Sequence, residues 1–112
     1  MAGAVVCEGG QKCPCFFGFG DAKPGDCPEL DKIVLKHEKQ HVPESECDPS
    51  EGANPHRAKT KDPKKYAQNE CQHRRESIAD LKDAIKKSSG KCKAAMLGLS
   101  AKLRIWVSQN CP

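Results

Sequence analysis

The sequence predicts a small, mainly α-helical domain with three helices, or a small α+β domain. Three observations support this prediction: the short chain, the apolar residues that recur at helical spacing, and the large number of cysteines. The chain has 112 residues, which is enough for one hydrophobic core but not for two. We therefore expect one domain over residues 1–112, with an irregular or short-stranded segment at 1–26 that disulfides brace, and a helical part at 27–112.

The cysteines compensate for a thin hydrophobic core. Aromatic residues make up 4% of the chain and the mean hydropathy is -0.72, so burial alone is a weak source of stability. An even number of cysteines in a small polar chain favours a disulfide framework over thiolate zinc sites, which need a second close pair of cysteines. The eight cysteines are Cys7, Cys13, Cys15, Cys27, Cys47, Cys71, Cys92 and Cys111.

A disulfide framework implies an oxidising compartment, and so a secreted or exported protein, outside the cell or in the periplasm of a target cell. The N-terminal stretch MAGAVVCEGG has neither a basic region nor a long apolar run, so it does not predict a cleaved signal peptide. We expect either export without such a signal or a piece cut from a larger exported chain. No apolar run is long enough to predict a membrane span.

The charge distribution argues against a nucleic-acid partner. The formal net charge is +4, but the lysines of residues 59–65 alternate with no aromatic side chains on which bases could stack. Arg74 and Arg75 are predicted to be surface charge rather than substrate clamps. The positive charge is therefore expected to form a solvated surface, and an anionic target such as a polymer of the cell envelope is the alternative, which charge alone does not show.

Residues 27–42 are predicted to form the first helix. Asp26 is a candidate cap, and Pro28 lies in the first turn, where its missing N–H costs no hydrogen bond. Pro43 ends the helix, because proline disfavours the helical conformation in the residue before it. One stripe recurs at spacings of four, three and four residues: Leu30, Val34, His37 and His41.

Two further helices are predicted over residues 63–88 and 91–110. The turn between them, at Gly90, is tight, so the two helices should pack antiparallel. Cys71 and Cys111 lie about equally far from this turn along their helices, which predicts a bridge between them.

The remaining segments are predicted to be less regular. Residues 1–26 contain one or two short strands around a turn at Gly9-Gly10. Residues 43–61 read as a long polar loop, which Cys47 ties down.

His37, Glu38 and His41 form an HExxH motif on the first predicted helix. Residues i and i+4 lie one above the other on a helix, so both imidazoles reach the same metal ion. The glutamate between them lies beside that ion, where it can take a proton from water. The motif predicts a Zn2+ site with two histidine ligands and Glu38 as general base. The alternative is a polar helix end that faces water.

A catalytic zinc site needs a third protein ligand, and the second predicted helix offers two candidates. The apolar stripe of that helix is predicted to consist of Ala67, Cys71, Ile78, Leu81 and Ile85. Glu70 lies beside this stripe, one residue before Cys71, and is placed to face inward. His73 is the alternative ligand, or a donor to the transition state. Tyr66, one turn before Glu70, is either a packing residue or a donor to an oxyanion.

The pattern HEKQH…NECQH resembles known zinc peptidases. An Asn-Glu pair on a helix after HExxH is similar to the NExxxD stretch of the gluzincins, the thermolysin-like zinc peptidases, in which that glutamate is the third ligand. Here Asn69 and Glu70 match the first two positions, and Arg74 stands at the Asp position. Because the aspartate is missing, another carboxylate would have to orient a ligand histidine, and the candidates are Glu76 and Asp80.

This resemblance covers roughly residues 30–85 and implies a minimal zincin-like core with Glu70 as the third ligand. A closer similarity is to short, cysteine-containing HExxH domains of bacterial exported toxins and effectors, where a Glu-Cys pair follows on a helix. It implies peptide-bond hydrolysis by a polymorphic toxin, and a cognate immunity protein that blocks the cleft in the producing cell. The alternatives are a zinc amidase acting on peptidoglycan and a non-enzymatic, disulfide-rich secreted binding module in which HExxH is incidental.

Overall fold

The computed structural model describes residues 2–112, which form three α-helices and five short strands. In chain order these are β1 (Gly3–Glu8), β2 (Gln11–Phe16), α1 (Pro28–His41), β3 (Ser45–Glu46), β4 (His56–Arg57), β5 (Lys59–Thr60), α2 (Pro63–Lys86) and α3 (Gly90–Asn110). The predicted fold class is confirmed: three helices follow a short-stranded, disulfide-braced N-terminal segment.

The N-terminal segment is a β-hairpin. Strands β1 and β2 pair antiparallel from Gly3↔Phe16 to Glu8↔Gln11. The two turn residues, Gly9 and Gly10, both have positive φ (59° and 80°), which a type I′ turn requires and glycine adopts without strain. Strand β4 pairs with the other edge of β1, so the sheet order is β2-β1-β4.

The segment after α1 is more regular than a polar loop. Single 3-10 turns form at Val42–Glu44 and Pro49–Glu51, and β3 pairs antiparallel with β5. Sequence patterns do not predict these elements, because strands of two residues have no periodicity to read. The consequence for the site is that the segment after α1 turns back toward it at Glu44.

The helix boundaries differ from the predicted ones by at most two residues. Helix α1 has Cys27 at its cap position without a side-chain hydrogen bond, and Asp26 instead accepts from the Lys23 N–H. Helix α2 is capped as its sequence suggests, since the Asp62 carboxylate accepts from the Lys64 and Lys65 N–H groups. Helix α3 begins one residue early, at Gly90, which has positive φ.

The core lies where α1 packs against the hairpin and α2, and where α2 packs against α3. Leu30, Leu81 and Met96, one from each helix, are at most 1% exposed. The prediction that Ala67 belongs to the apolar stripe of α2 is wrong, since this first part of the helix extends beyond the core and Ala67 is exposed. The other buried apolar side chains of the cluster belong to Ala22, Cys27, Ile33, Val34, Ala84, Ala95 and Leu99.

Three disulfides form among residues 2–112: Cys7–Cys47, Cys27–Cys92 and Cys71–Cys111. The first ties β1 to the segment after α1, and the second ties the start of α1 to the first turn of α3. The third is the predicted bridge, which joins Cys71 of α2 to Cys111 directly after α3. Because a tight turn also connects the two helices, they run antiparallel. These bridges indicate an oxidising compartment.

Cys13 and Cys15 are free thiols rather than a fourth bridge. They are two residues apart on the extended strand β2. Such residues have Cα atoms about 6.6 Å apart, at the upper end of the range of about 4.4–6.8 Å for disulfides. None of the helices in residues 2–112 combines the length and the apolarity that crossing a bilayer requires.

Candidate metal centre

Helix α1 brings two imidazoles together at its C-terminal end. His37 and His41 are one turn apart, with ring centroids 4.8 Å apart and their Nε2 atoms 3.2 Å apart. The same face of α1 carries Leu30 and Val34 into the core, so packing fixes the direction in which both histidines point. His41 is only 3% exposed.

Helix α2 adds a buried carboxylate from the opposite side. Glu70 is 2% exposed, and its Oε1 lies 3.1 Å from His37 Nε2 while its Oε2 lies 2.6 Å from His41 Nε2. Despite that short distance, Glu70 Oε2 has no partner with hydrogen-bond geometry among the described residues. A buried carboxylate oxygen without such a partner is costly unless a cation binds it.

The dimensions of this triad fit a zinc ion. Four-coordinate zinc with bonds of about 2.0–2.1 Å holds its ligand atoms about 3.3 Å apart. The distances of 3.2 Å and 3.1 Å at His37 Nε2 match that spacing, and the third, between Glu70 and His41, is shorter. His37, His41 and Glu70 thus form one group that could hold a metal ion, and His41, Glu44 and His73 form a second group that shares His41.

The chemistry of the donors also fits. His41 Nδ1 donates to Glu44 Oε2 at 2.8 Å, which leaves the lone pair of the neutral ring on Nε2. His37 Nδ1 lies 3.3 Å from Ser77 Oγ, so a proton on Nδ1 likewise leaves Nε2 of His37 as an acceptor. Two imidazole lone pairs and a carboxylate then converge on one point.

The pKa shifts of Glu70 and His41 favour opposite charges on these two neighbouring side chains. Burial raises the pKa of Glu70, but the adjacent His37 and His41 imidazoles and the Arg74 guanidinium outweigh it and hold that pKa well below its usual range. Burial lowers the pKa of His41, but the adjacent Glu70 and Glu44 carboxylates raise it overall. The metal-free site therefore favours a negative Glu70 beside a positive His41.

The carboxylate that orients His41 is Glu44, not Glu76 or Asp80. Glu44 Oε2 accepts from His41, and Glu44 Oε1 accepts from Asn69 Nδ2 at 2.5 Å. Glu76 instead accepts from glutamines, and Asp80 pairs with a lysine of α1 at 2.8 Å. Sequence reasoning missed Glu44 because its position depends on the 3-10 turn after α1. The available signal was a carboxylate three residues after His41.

Glu38 lies at the mouth of the site with its carboxylate unpaired. Among the described residues it has no hydrogen-bond or ion-pair partner, and burial raises its pKa, although the charges of His37 and His41 oppose that shift. Strand β1 passes directly over it. A Cβ added at Gly3 would lie 2.6 Å from the Cys15 carbonyl and 3.1 Å from Glu38 Cγ, so only glycine allows this close approach.

Tyr66 stacks on His41, one of the three candidate ligands. Its ring lies 4.6 Å from that of His41, with 28° between the planes. Burial and the nearby Glu70 and Glu38 carboxylates raise the pKa of Tyr66 to about 12. The hydroxyl therefore keeps its proton at neutral pH and stays a hydrogen-bond donor.

His73 lies behind the triad rather than in it. Its ring centroid is 5.1 Å from that of His41 and 6.0 Å from that of His37, and its Nε2 is 3.8 Å from Glu44 Oε1. Both ring nitrogens are buried without hydrogen-bond partners in the described chain, and burial and the charge of His41 lower the pKa of His73. His73 lines neither of the two clefts beside the site.

The prediction that Arg74 is surface charge is wrong, whereas Arg75 is exposed and donates to the Pro112 carbonyl. Arg74 Nε donates to Glu70 Oε1 at 2.6 Å, and its guanidinium lies over the Trp106 ring, 4.0 Å from the ring centroid. Arg74 lies on α2, one turn after Glu70, the third candidate ligand. The aromatic face of Trp106 on α3 contacts the guanidinium there and holds it in place. Arg74 takes the place on α2 at which the resemblance expects an aspartate.

Two clefts meet at the site. The smaller, of about 90 Å³, contains His37, Glu38, His41, Tyr66 and Glu70, together with Arg57 of β4. The larger, of about 330 Å³, also reaches His37 and Glu38 but is otherwise mostly apolar. Glu38 therefore stands between the candidate metal centre and an apolar cavity.

No family model, curated protein or solved structure matches the chain. The resemblance to zinc peptidases consequently rests on the two short motifs and on the geometry described above.

Proposed function

We propose that this protein is a zinc-dependent hydrolase that cleaves peptide bonds. The observation that supports this most is the convergence of His37 Nε2, His41 Nε2 and the Glu70 carboxylate, with the carboxylate of Glu38 beside them. The chemistry that zinc supplies at such a centre is activation of water and polarisation of a carbonyl group.

Glu38 acts as the general base in this proposal and then returns the proton to the leaving amine. Its carboxylate has no competing partner in the described chain, so it is available to water at the mouth of the site. Its pKa is raised by burial, which brings it closer to the value at which a group both accepts and releases a proton near neutral pH.

Tyr66 stabilises the negative charge that develops on the substrate carbonyl oxygen. It lines the same small cleft as Glu38, and with a pKa of about 12 its hydroxyl remains a donor. Arg57 lines this cleft as well and adds a positive charge to it. A donor that is fixed before the reaction, here by stacking on His41, stabilises an oxyanion without reorganisation.

The biological setting that we propose is an exported bacterial toxin or effector domain. The three disulfides fit a protein that works in an oxidising compartment. The Glu-Cys pair Glu70-Cys71 after HExxH supports this setting through its similarity to exported HExxH domains. A cognate immunity protein that covers the cleft is then the expected partner in the producing cell.

The test combines metal analysis with one substitution. The purified protein should bind one zinc per chain, and crystals should give an anomalous peak between His37, His41 and Glu70. Glu38→Gln should keep the zinc and lose roughly 10²–10⁴-fold in peptide cleavage, the usual contribution of a general base. The matched control is Glu76→Gln, at a partly buried carboxylate outside the site, which should keep both.

Three outcomes separate the alternatives. A protein that binds no zinc, or a Glu38→Gln variant that cleaves peptides normally, contradicts the proposal and favours a binding module. Release of peptides from purified sacculi without any cleavage of casein would identify a peptidoglycan amidase instead.

A further inference from the structure

We propose that the apolar cavity beside Glu38 binds the C-terminal residue of a peptide, with its apolar side chain inside and its carboxylate at the rim. This inference deepens the proposed function, because it names the class of substrate for the same site. It rests on three features: the shape of the cavity, the way in which its walls are fixed, and the two cations at its rim.

The cavity has the size and the lining of a side-chain pocket. Its volume is about 330 Å³, at the lower end of the range of about 300–1,000 Å³ for ligand sites. This favours one large side chain over a longer peptide segment. Its apolar walls come from α1, α3 and the segment between β2 and α1: Ile33, Val34, Leu99, Leu103, Trp106 and Phe19.

The cavity is continuous with the proposed reaction site. His37 and Glu38 line both the cavity and the smaller cleft that contains the candidate metal ligands. A side chain in the cavity therefore holds its own backbone beside Glu38. This is the position from which one residue can determine which bond is cleaved.

The wall formed by Phe19 is held by backbone structure. Phe19 and Ala22 exchange two backbone hydrogen bonds, at 2.9 and 3.0 Å, which close a tight turn. Gly98 of α3 gives the Phe19 ring room, since a Cβ at Gly98 would lie 3.1 Å from Phe19 Cε1. The ring is thus wedged against α3, and the cavity does not depend on a flexible loop.

Two cations at the rim select for a negative charge next to the apolar side chain. Arg74 is fixed by Glu70 and Trp106, and these contacts occupy its Nε and one face of the guanidinium. Its two Nη groups have no protein hydrogen-bond acceptor among the described residues. Lys102 lines the same cavity, lies 5.7 Å from the Phe19 ring, and pairs with no carboxylate of residues 2–112. A free α-carboxylate suits this pair, since guanidinium groups bind carboxylates in bidentate fashion.

The test uses Trp106, which is the only tryptophan of the chain and lines the cavity. Its fluorescence is followed while metal-free protein is titrated with N-acetylphenylalanine, with the amide of this compound, and with N-acetylglycine. The acid should bind saturably and about tenfold more tightly than the amide, as expected for a charge-assisted hydrogen bond. N-acetylglycine should not saturate. The metal-free form is used so that no carboxylate can bind zinc directly.

Substitutions assign the binding to this cavity. Leu103→Phe, which fills it, should weaken binding of N-acetylphenylalanine about tenfold. Lys102→Gln should weaken it about threefold. Lys93→Gln, at an exposed lysine near the start of the same helix, is the matched control and should leave affinity unchanged. Circular dichroism confirms that each variant keeps its helical content.

Equal affinity for the acid and the amide would overturn the assignment of the carboxylate, and no response of Trp106 to any probe would overturn the cavity assignment. These failures are distinct from failure of the hydrolase proposal. If the probes bind but no peptide is cleaved, only the proposed function is lost. If peptides are cleaved without preference for an apolar C-terminal residue, only this inference is lost.

Discussion

His41 donates its Nδ1 proton to Glu44 at 2.8 Å, and Glu44 is held in turn by Asn69. This pair fixes both the ring orientation and the tautomer of the more buried histidine of the candidate centre. Carboxylates in this position raise the basicity of a metal-ligating imidazole.

Glu44→Gln should therefore weaken zinc binding. We expect a loss of about 10–100-fold in zinc affinity, as is typical when the partner of a ligand histidine is removed, with the helical content retained. Competition with a chromophoric chelator measures the affinity. Glu51→Gln, at an exposed position in the second 3-10 turn, is the control and should bind zinc like the wild type. Unchanged affinity in Glu44→Gln would show that His41 needs no such partner.

Tyr66→Phe should separate catalysis from metal binding. The phenyl ring can keep its stacking on His41, so zinc affinity should stay the same, while the donor to the oxyanion is lost. We expect kcat to fall about 10²–10³-fold. Steady-state kinetics on a peptide substrate, together with the zinc content of the same sample, tests this. If kcat is retained, Tyr66 is a packing residue.

The stability of the metal-free protein should depend on pH through His41. The pKa of His41 is raised above 6.5, so the stability from its pairs is present below pH 6.5 and lost as the pH rises through the raised value. The pKa values of Glu70 and Glu44 are lowered below 4.5, so their contribution is present above pH 4.5 and lost as the pH falls. The Tm difference between wild type and His41→Gln should thus be largest between about pH 4.5 and 6.5.

This difference is measured by thermal denaturation of chelator-treated protein across the pH range. The effect of His41→Gln on the Tm is also measured in a Glu70→Gln background. Because that background lacks the charge of Glu70, the Tm difference caused by His41→Gln should be smaller there between about pH 4.5 and 6.5. A Tm difference that does not vary with pH would contradict the charge assignments of His41 and Glu70.

The disulfide between Cys71 and Cys111 should stabilise both the fold and the site. It closes a sequence separation of 40 residues, for which chain entropy predicts about 4 kcal/mol of unfolding free energy. We expect the double variant Cys71→Ser/Cys111→Ser to lose stability of this order in urea denaturation. Cys13→Ser/Cys15→Ser is the matched control and should change stability by no more than about 0.5 kcal/mol, because neither thiol is bridged. Equal losses in both pairs would contradict the assigned connectivity.

The parts of the fold that follow local rules could be predicted from the sequence. Pro28 and Pro63 mark the starts of α1 and α2, and Gly9-Gly10 forms the hairpin turn, because each of these residues restricts or frees its own backbone. The candidate triad was also predictable, since one turn of helix relates His37 to His41. Glu70 could be predicted as the third ligand because its position in the pattern of the next helix places it on the inward face.

The remainder depends on long-range packing that no local pattern encodes. Glu44 reaches His41 through a 3-10 turn, and Arg74 is enclosed only because α3 brings Trp106 against it. The position of His73 behind the triad, rather than in the cleft, likewise follows from how α2 is rotated against α1. Sequence spacing places His73 on the correct helix but cannot give that rotation.

The third candidate ligand and a covalent crosslink are neighbours in the chain, since Glu70 directly precedes Cys71. Opening the bridge to Cys111 would loosen the turn of α2 that carries the ligand, so thiol chemistry and metal affinity become thermodynamically linked. A reducing environment would weaken zinc binding, and by reciprocity bound zinc would make the bridge harder to reduce. For the proposed zinc centre, the affinity for metal is therefore expected to be higher in the oxidised chain than in the reduced chain.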